Sequence, residues 1–318
     1  MTQRVIPAIK PRGRIESLFH ELKTNWLLFL MLLPGVVYFF IFAYLPMTGV
    51  IMAFENYSYR GGMFGSPFVG LQNFRFLFSS GAAWRITRNT LLYNIVFISV
   101  DIVFQVSFAV MLSEMTSRVF KKTAQSLMFL PYFVSYVLLA AFIYNIFNYN
   151  YGTLNAVLTT AGMEKFDAYS SPGIWPFVLV FFNTWKGLGY GIVVYMAAIT
   201  GIHGEYYESA RIDGATKWQE IIHITLPMLR STISVITLFA IGKIMRGQFE
   251  LFYQIIGNNG TLYPTTDIID TYVFRSLTQN FNVSMGTAAG LYQSLTSFIL
   301  VLITNTIVTR VDPECALF

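Results

Sequence analysis

The sequence predicts an all-α membrane protein with six transmembrane helices and both termini cytoplasmic. Three observations lead there. Hydrophobic residues make up 55% of the 318 and charged residues only 12%, about half the ~25% usual in soluble domains, so water is not the main solvent. Six stretches are long and apolar enough to cross a bilayer, which takes about 20 mostly apolar residues. The lysines and arginines between those stretches favour one side.

The first span is Trp26 to Tyr44, within a charge-free run from Thr24 to Phe54. Arg12, Arg14 and Lys23 precede it as they would a signal peptide. The run is longer than a signal core of roughly 7–15 residues and no small-x-small cleavage site follows, so it reads as an uncleaved helix. The second span is Leu91 to Met111, with Asp101 inside it, and the third is Leu127 to Phe147. The fourth, Ile174 to Ile199, contains Lys186; the fifth, Ile233 to Ile256, contains Lys243, Arg246 and Glu250; the sixth is Ala288 to Val308.

With the N-terminus inside, the inner segments carry 12 lysines and arginines (Arg4, Lys10, Arg12, Arg14, Lys23, Arg118, Lys121, Lys122, Arg211, Lys217, Arg230, Arg310). The outer segments carry 6: Arg60, Arg75, Arg85, Arg88, Lys165 and Arg275. The formal charge of +5 therefore reads as membrane orientation rather than nucleic-acid binding. The one cysteine, Cys315, excludes an internal disulfide, and His20, His203 and His223 form no H-x-x-x-H pair; no metal site is expected. The chain has no G-x-x-x-x-G-K-[ST] phosphate loop. Gly187-x-x-x-Gly191 and Gly286-x-x-x-Gly290 read as small-residue faces for close helix packing.

The segment Gly204 to Leu229 is the most informative. It reads as two short helices, Glu205 to Ile212 and Ala215 to Ile224, separated by Asp213-Gly214. Glycine ends the first helix by taking a positive φ, Asp213 can cap the second, and Pro227 marks the boundary before the fifth span. Ala210, Gly214 and Ala215 keep the bend small enough for another protein to approach the backbone, with Tyr206, Arg211 and Trp218 as flanking anchors. An ordinary interfacial helical hairpin would share these local features.

The spacing goes further. Glu208, Ala210, Gly214, Ile224, Leu226 and Pro227 follow E-A-A-x3-G-x9-I-x-L-P, with Ser209 in place of the central alanine. The segment resembles the coupling loop of membrane subunits of binding-protein-dependent type I ABC importers. Gly49 to Tyr57 (G-V-I-M-A-F-E-N-Y), Gly65 to Phe74 (G-S-P-F-V-G-L-Q-N-F) and Thr265 to Arg275 (T-T-D-I-I-D-T-Y-V-F-R) are similar to the carbohydrate branch handling oligosaccharides and polysaccharide fragments. The resemblance implies the type I ABC importer permease fold. Its divisions would be a cytoplasmic tail over 1–25, a first helix and outer loop over 26–85, a core of five helices over 86–310 with the coupling loop at 204–229, and a tail over 311–318. It implies a non-catalytic, multi-pass subunit in a bacterial inner or plasma membrane, with Tyr206, Tyr207, Glu208, Ser209, Ala210, Arg211, Asp213, Gly214, Ala215, Trp218, Leu226 and Pro227 meeting an ATPase. The implied partners are an ABC ATPase dimer, a second homologous permease, an external solute-binding protein and an oligosaccharide. ATP and Mg would be bound by the ATPase; no cofactor is expected on this chain.

A charge inside a bilayer costs at least about 2.5–3.5 kcal/mol, so it should face protein or a wet cavity. Asn183, Lys186, Tyr190, Lys243, Arg246, Gln248, Glu250 and Tyr253 are therefore candidates for a substrate path, with the three cations suited to acidic sugars. Ion pairing, of Asp101 with Lys186 or of Lys243 and Arg246 with Glu250, is the alternative and stays open. An importer subunit for a non-sugar solute is the second functional reading. An ion-coupled secondary transporter is disfavoured because no half-to-half repeat is apparent. A membrane enzyme is disfavoured because no clustered acid–base set or nucleophile motif is found.

Overall fold

A computed structural model describes Glu21 and residues 23–311. The tail charges from Arg4 to Arg14, His20 and the segment beyond Val311 with Cys315 lie outside the described residues. The chain divides into two compact units, residues 1–51 and 52–318. In the first, Trp26–Phe39 forms α1, and helical backbone continues as a wide π turn over Phe40–Tyr44 and a tighter 3₁₀ run from Leu45. From Trp26 to Phe54 the charge-free run is thus helical, beginning just after a bend at Asn25.

The second unit is built around two long helices, α3 (Ala82–Ser113) and α7 (Trp175–Thr200). A short amphipathic helix, α2 (Gln72–Ser79), precedes them, and Gly81, at φ 73°, makes the corner into α3. Then come α4 (Arg118–Phe129), α5 (Tyr136–Phe147) and α6 (Thr153–Thr160). After α7 come α8 (Gly204–Ile212), α9 (Lys217–Glu220) and α10 (Leu226–Ile241). The unit closes with α11 (Phe249–Ile256), α12 (Ile269–Thr278) and α13 (Val283–Val311). Among the described residues, five helical runs are long and apolar enough to cross a membrane, or six if the bent pair Arg118–Phe133 and Tyr136–Phe147 counts as one span.

Three apolar cores hold these helices together. Tyr93, Phe97, Leu139, Trp175, Phe182 and Phe252 join α3, α5, α7 and α11. Leu112, Ile192, Tyr195, Ile199 and Leu229 join the far ends of α3 and α7 to α10. Leu77, Ile86, Met245, Ile269 and Ala289 form the third. The close approach to α7 depends on its glycines. A Cβ on Gly191 would overlap the Gln105 side chain of α3, and one on Gly189 would overlap the backbone of Met128 and Phe129 in α4. Gly286 is packed against Leu277, but Gly290 has nothing within 4 Å of where a Cβ would stand. The second small-residue face expected from the sequence is therefore a single contact.

Two spans differ from the expected ones. The third turns through 93° after Phe133 instead of running straight. Pro131 tightens the chain into a 3₁₀ turn over Leu130–Phe133, and Ser135, whose Oγ accepts from Leu138 N at 3.3 Å, starts a new helix. The fifth does not run from Ile233 to Ile256: α10 begins at Leu226 and stops at Ile241, and α11 starts only at Phe249. Gly242 and Gly247 flank the break, where helix propensity is lowest. Freed backbone groups are recaptured by side chains, as an apolar setting demands: Gly247 N–H donates to Asp270 Oδ2 at 2.7 Å, and Gln293 Nε2 donates to Met245 O at 2.7 Å. Pro227 sits in the first turn of α10, where its missing N–H is no loss, and so lies at the helix boundary the sequence suggested, just after the π turn over Ile221–Thr225.

Candidate functional site

The segment between α7 and α10 folds as two short helices with a glycine turn. Helix α8 ends at Ile212 and Gly214 takes φ +81°, the left-handed conformation a C-terminal glycine supplies. The second helix starts later than expected and is not capped by Asp213. Thr216 is its cap, accepting from Gln219 N, while the Gln219 side chain accepts from Thr216 N at 2.7 Å. A capping box needs a hydroxyl three residues before a Gln or Glu, and Thr216–Gln219 meets it where Asp213 does not.

One buried carboxylate ties the two halves together. Glu220 has a side chain only 1% exposed, and Arg211 meets both its oxygens, Nε at 2.8 Å and Nη2 at 3.2 Å. Lys217 adds a contact to Glu220 at 3.0 Å and a second, to Glu114, at 3.1 Å. The Glu220 hydrogen bond is the main force holding Arg211 above the ordinary guanidinium pKa. Tyr207 Oη and Thr225 Oγ1 share a hydrogen bond of 3.0 Å, and Ser209 Oγ donates to Tyr206 O. The outward face mixes charged and polar residues with two large apolar side chains. Ile212 is 86% and Trp218 69% exposed, Glu208 is exposed, and hollows of about 360 and 430 Å³ flank the turn, both reaching Ala210 and Asp213. Sequence reasoning missed Glu220, Glu114 and Ile212; the acid nine residues after Arg211 was the available signal for the first.

The other three motif stretches form polar networks near the opposite end of α3. Asp267, fully enclosed, receives Arg275 Nη2 at 2.8 and 3.0 Å, Arg85 Nη2 at 3.3 Å and Thr271 Oγ1 at 3.1 Å. Burial works against the charge on Arg275, yet its hydrogen bond and Coulombic attraction to Asp267 hold its pKa above the ordinary value. Asn89 donates to Asp267 O, and Thr90 Oγ1 accepts from Ile269 N. In the earlier motif, Glu55 and Phe68 pair as an antiparallel bridge, and Asn73 Nδ2 donates to the carbonyls of Ala53 and Glu55, both at 2.9 Å. The motif residues that had no obvious chemistry thus fix the backbone of the loops.

Neither expected ion pair forms among the described residues. Asp101 accepts from Thr184 Oγ1 at 2.7 Å and Asn183 Nδ2 at 3.2 Å. Asn183 is therefore buried against Asp101. Lys186 donates to Tyr132 O at 2.7 Å and to Val134 O, with Tyr132 and Tyr136 rings 5.7 and 5.0 Å from its ammonium. It caps the carbonyls released where the third span bends. Tyr190 stacks on Tyr132 at 5.4 Å and is 54% exposed. Lys243, Arg246 and Gln248 fall in the break between α10 and α11 and are exposed, as is Glu250 in the first turn of α11; Tyr253 is half-buried against Phe249 and Phe274. A groove of about 770 Å³ along α3 and α7 holds none of the expected path residues; Leu92, Val96, Phe104, Phe177 and Phe181 make it apolar.

Multiple apolar spans, a segment of two short helices turned at Gly214 and a loop lattice locked by side chains are features of a membrane transporter subunit. The chain belongs to the family of binding-protein-dependent transport system inner membrane components, whose model matches residues 105–315. It is 33% identical over 306 residues to Protein LplB of Bacillus subtilis, covering 95% of this chain and 94% of that one. It is 30% identical over 287 residues to the polygalacturonan/rhamnogalacturonan transport system permease protein YteP of the same organism, covering 90% and 89%. Its structure is similar, with a TM-score of 0.84 at 32% identity over 93% of this chain and 99% of the other, to a chain in the crystal structure of a bacterial ABC transporter involved in the import of the acidic polysaccharide alginate. A bacterial alginate ABC transporter in complex with an alginate pentasaccharide-bound periplasmic protein aligns with a TM-score of 0.82 over 92% and 98%.

Proposed function

We propose that this inner-membrane subunit forms half of the translocation path of an ATP-driven importer for oligosaccharides or polysaccharide fragments, with acidic glycans as the favoured class. The observation that carries the reading is the 204–229 segment. It is rigid within itself, yet turns Ile212, Trp218 and the small residues Ala210, Gly214 and Ala215 outward, which is what a surface needs to seat in another protein's cleft. Tyr206, Glu208 and Asp213 rim that surface. Tyr207, Ser209, Arg211, Leu226 and Pro227 support it from behind. In this reading the segment and both termini are cytoplasmic, residues 86–310 form the core, and ATP and Mg stay on a partner ATPase dimer. A second permease closes the path, and an external binding protein delivers the sugar.

Lys243, Arg246 and Gln248 are the path residues this reading favours, because they are exposed and have no acid holding them. Tyr190 with Tyr132 offers ring faces to sugar C–H groups. Acidic glycans carried by the alginate and polygalacturonan/rhamnogalacturonan systems agree with such cations. The test is uptake into vesicles holding the complete complex, across a panel of neutral and uronate oligosaccharides. ATP-dependent uptake of a uronate oligomer is expected. Uptake that follows an ion gradient without ATP, or ATP-driven uptake of non-sugar solutes alone, would refute the proposal. Gly214→Leu with Glu208→Lys should reduce co-purification with the ATPase.

A further inference from the structure

The docking segment is joined to the span helices by more than its two chain connections. Arg211 on α8 binds Glu220 on α9, Lys217 binds Glu220, and Lys217 also reaches Glu114 at the C-terminal cap of α3, 3.1 Å away. Four charges therefore run from the first helix of the docking segment to the end of a central span helix. Glu114 sits at the negative end of α3, and Lys217 in the first turn of α9 sits at a positive end. Each is on the unfavourable side of its own helix dipole. Lys217 also has its i,i+3 pair with Glu220 within α9, but Glu114 has no such local partner among the described residues, and its attraction to Lys217 is what joins the two helices.

The surrounding parts are arranged so that this bridge can carry movement. Glu220 is enclosed, so it cannot rotate away without losing both cations. Next to the bridge, Leu112 of α3 packs in one core with Ile199 of α7 and Leu229 of α10, with Ile221 against it. Lys217 and Glu114 are 61% and 29% exposed. Exposed pairs contribute little to stability, so the bridge is a constraint on direction rather than a brace.

Resting on the reading that the segment docks an ATPase, we infer that Glu114, through Lys217 and Glu220, is a positioning residue that makes α3 follow the docking segment during the transport cycle. Neither Glu114 nor Lys217 belongs to the outward docking surface, so removing the bridge should leave docking and hydrolysis in place.

The experiment uses the assembled complex in lipid, with Cys315→Ser, and spin labels on Met111→Cys of α3 and Phe298→Cys of α13, positions 57% and 63% exposed. ATP with vanadate is expected to shift the label distance in the parent. Glu114→Gln should hydrolyse ATP at the parent's basal rate yet lose the larger part of the shift, and Glu114→Asp should recover most of it. Lys217→Gln should lose the shift as well, and adding Glu114→Gln to it should change nothing further. High salt, which screens exposed pairs, should bring the parent toward the Glu114→Gln value. A full shift in Glu114→Gln, or an additional loss in the double variant, would overturn the inference while leaving the docking reading intact. No ATP-dependent shift in the parent, with no ATPase bound, would overturn both.

Discussion

Replacing Asp267 with alanine removes the centre of the polar lattice that faces the start of α3. Its carboxylate is fully enclosed and accepts four hydrogen bonds: two from Arg275 at 2.8 and 3.0 Å, one from Arg85 at 3.3 Å and one from Thr271 at 3.1 Å. Deleting one member of a buried pair typically costs ~3–5 kcal/mol, because the other charge is left uncompensated. Here Arg275 is only 15% exposed but keeps its stacking on Tyr263 at 4.1 Å, while Arg85 is 38% exposed and stays hydrated. Those features place Asp267→Ala near the lower end, about 3 kcal/mol. Arg85→Ala removes one long contact from a partly hydrated side chain and should cost about 1 kcal/mol or less. The measurement is the melting temperature of the detergent-solubilised protein followed by gel filtration after heating. Asp267→Ala should melt about 5–10 °C below the parent, and Arg85→Ala within about 2 °C of it. Equal losses for the two variants, or a melting point for Asp267→Ala unchanged from the parent, would refute the view that Asp267 is the buried centre.

Gly189→Ala should lower the yield of folded protein, since its Cβ meets the Met128–Phe129 backbone, a strain of about 1–3 kcal/mol; Gly290→Ala, with open space around it, should fold as the parent does. Lys186→Met strips the caps from Tyr132 and Val134 and should depress uptake of neutral and acidic glycans alike, whereas Arg246→Met should depress uptake of the acidic ones selectively. Uptake assays with matched neutral and uronate oligomers separate the two roles.

The helices could be read from the sequence because a bilayer imposes one simple demand, sustained apolarity, and four of the six expected stretches lie in single helical runs, the third being bent and the fifth broken. The bends could not. Pro131 announces the third-span turn only once it is known that Lys186 caps its carbonyls, and the break after Ile241 depends on Asp270 and Gln293, distant in sequence. The docking segment was readable to within a few residues because its turn is local: Asp213-Gly214 ends a helix wherever it occurs. Its cap was misassigned because Thr216 competes with Asp213 and wins through Gln219. Lys186 and Asp101 look like partners by charge alone, but each finds neutral groups closer: carbonyls for the lysine, Thr184 and Asn183 for the aspartate. Pairing by sign ignores how many neutral dipoles a packed interior offers.

The polar lattice also sets an order of events during synthesis. Asp267 is 182 residues beyond Arg85, Ile269 is 179 beyond Thr90, and Ser284, whose Oγ accepts from Tyr57 N, is 227 beyond it. At ~5–20 residues per second, roughly 10–40 s separate the translation of Arg85 from that of its carboxylate. Throughout that interval a nascent chain holds the start of α3 without its counter-charge and the loop at Tyr57 without its acceptor. A ribosome that stalls, or a message cut short before codon 267, releases a chain that has most of its spans and lacks the locks made by Asp267, Ile269 and Ser284.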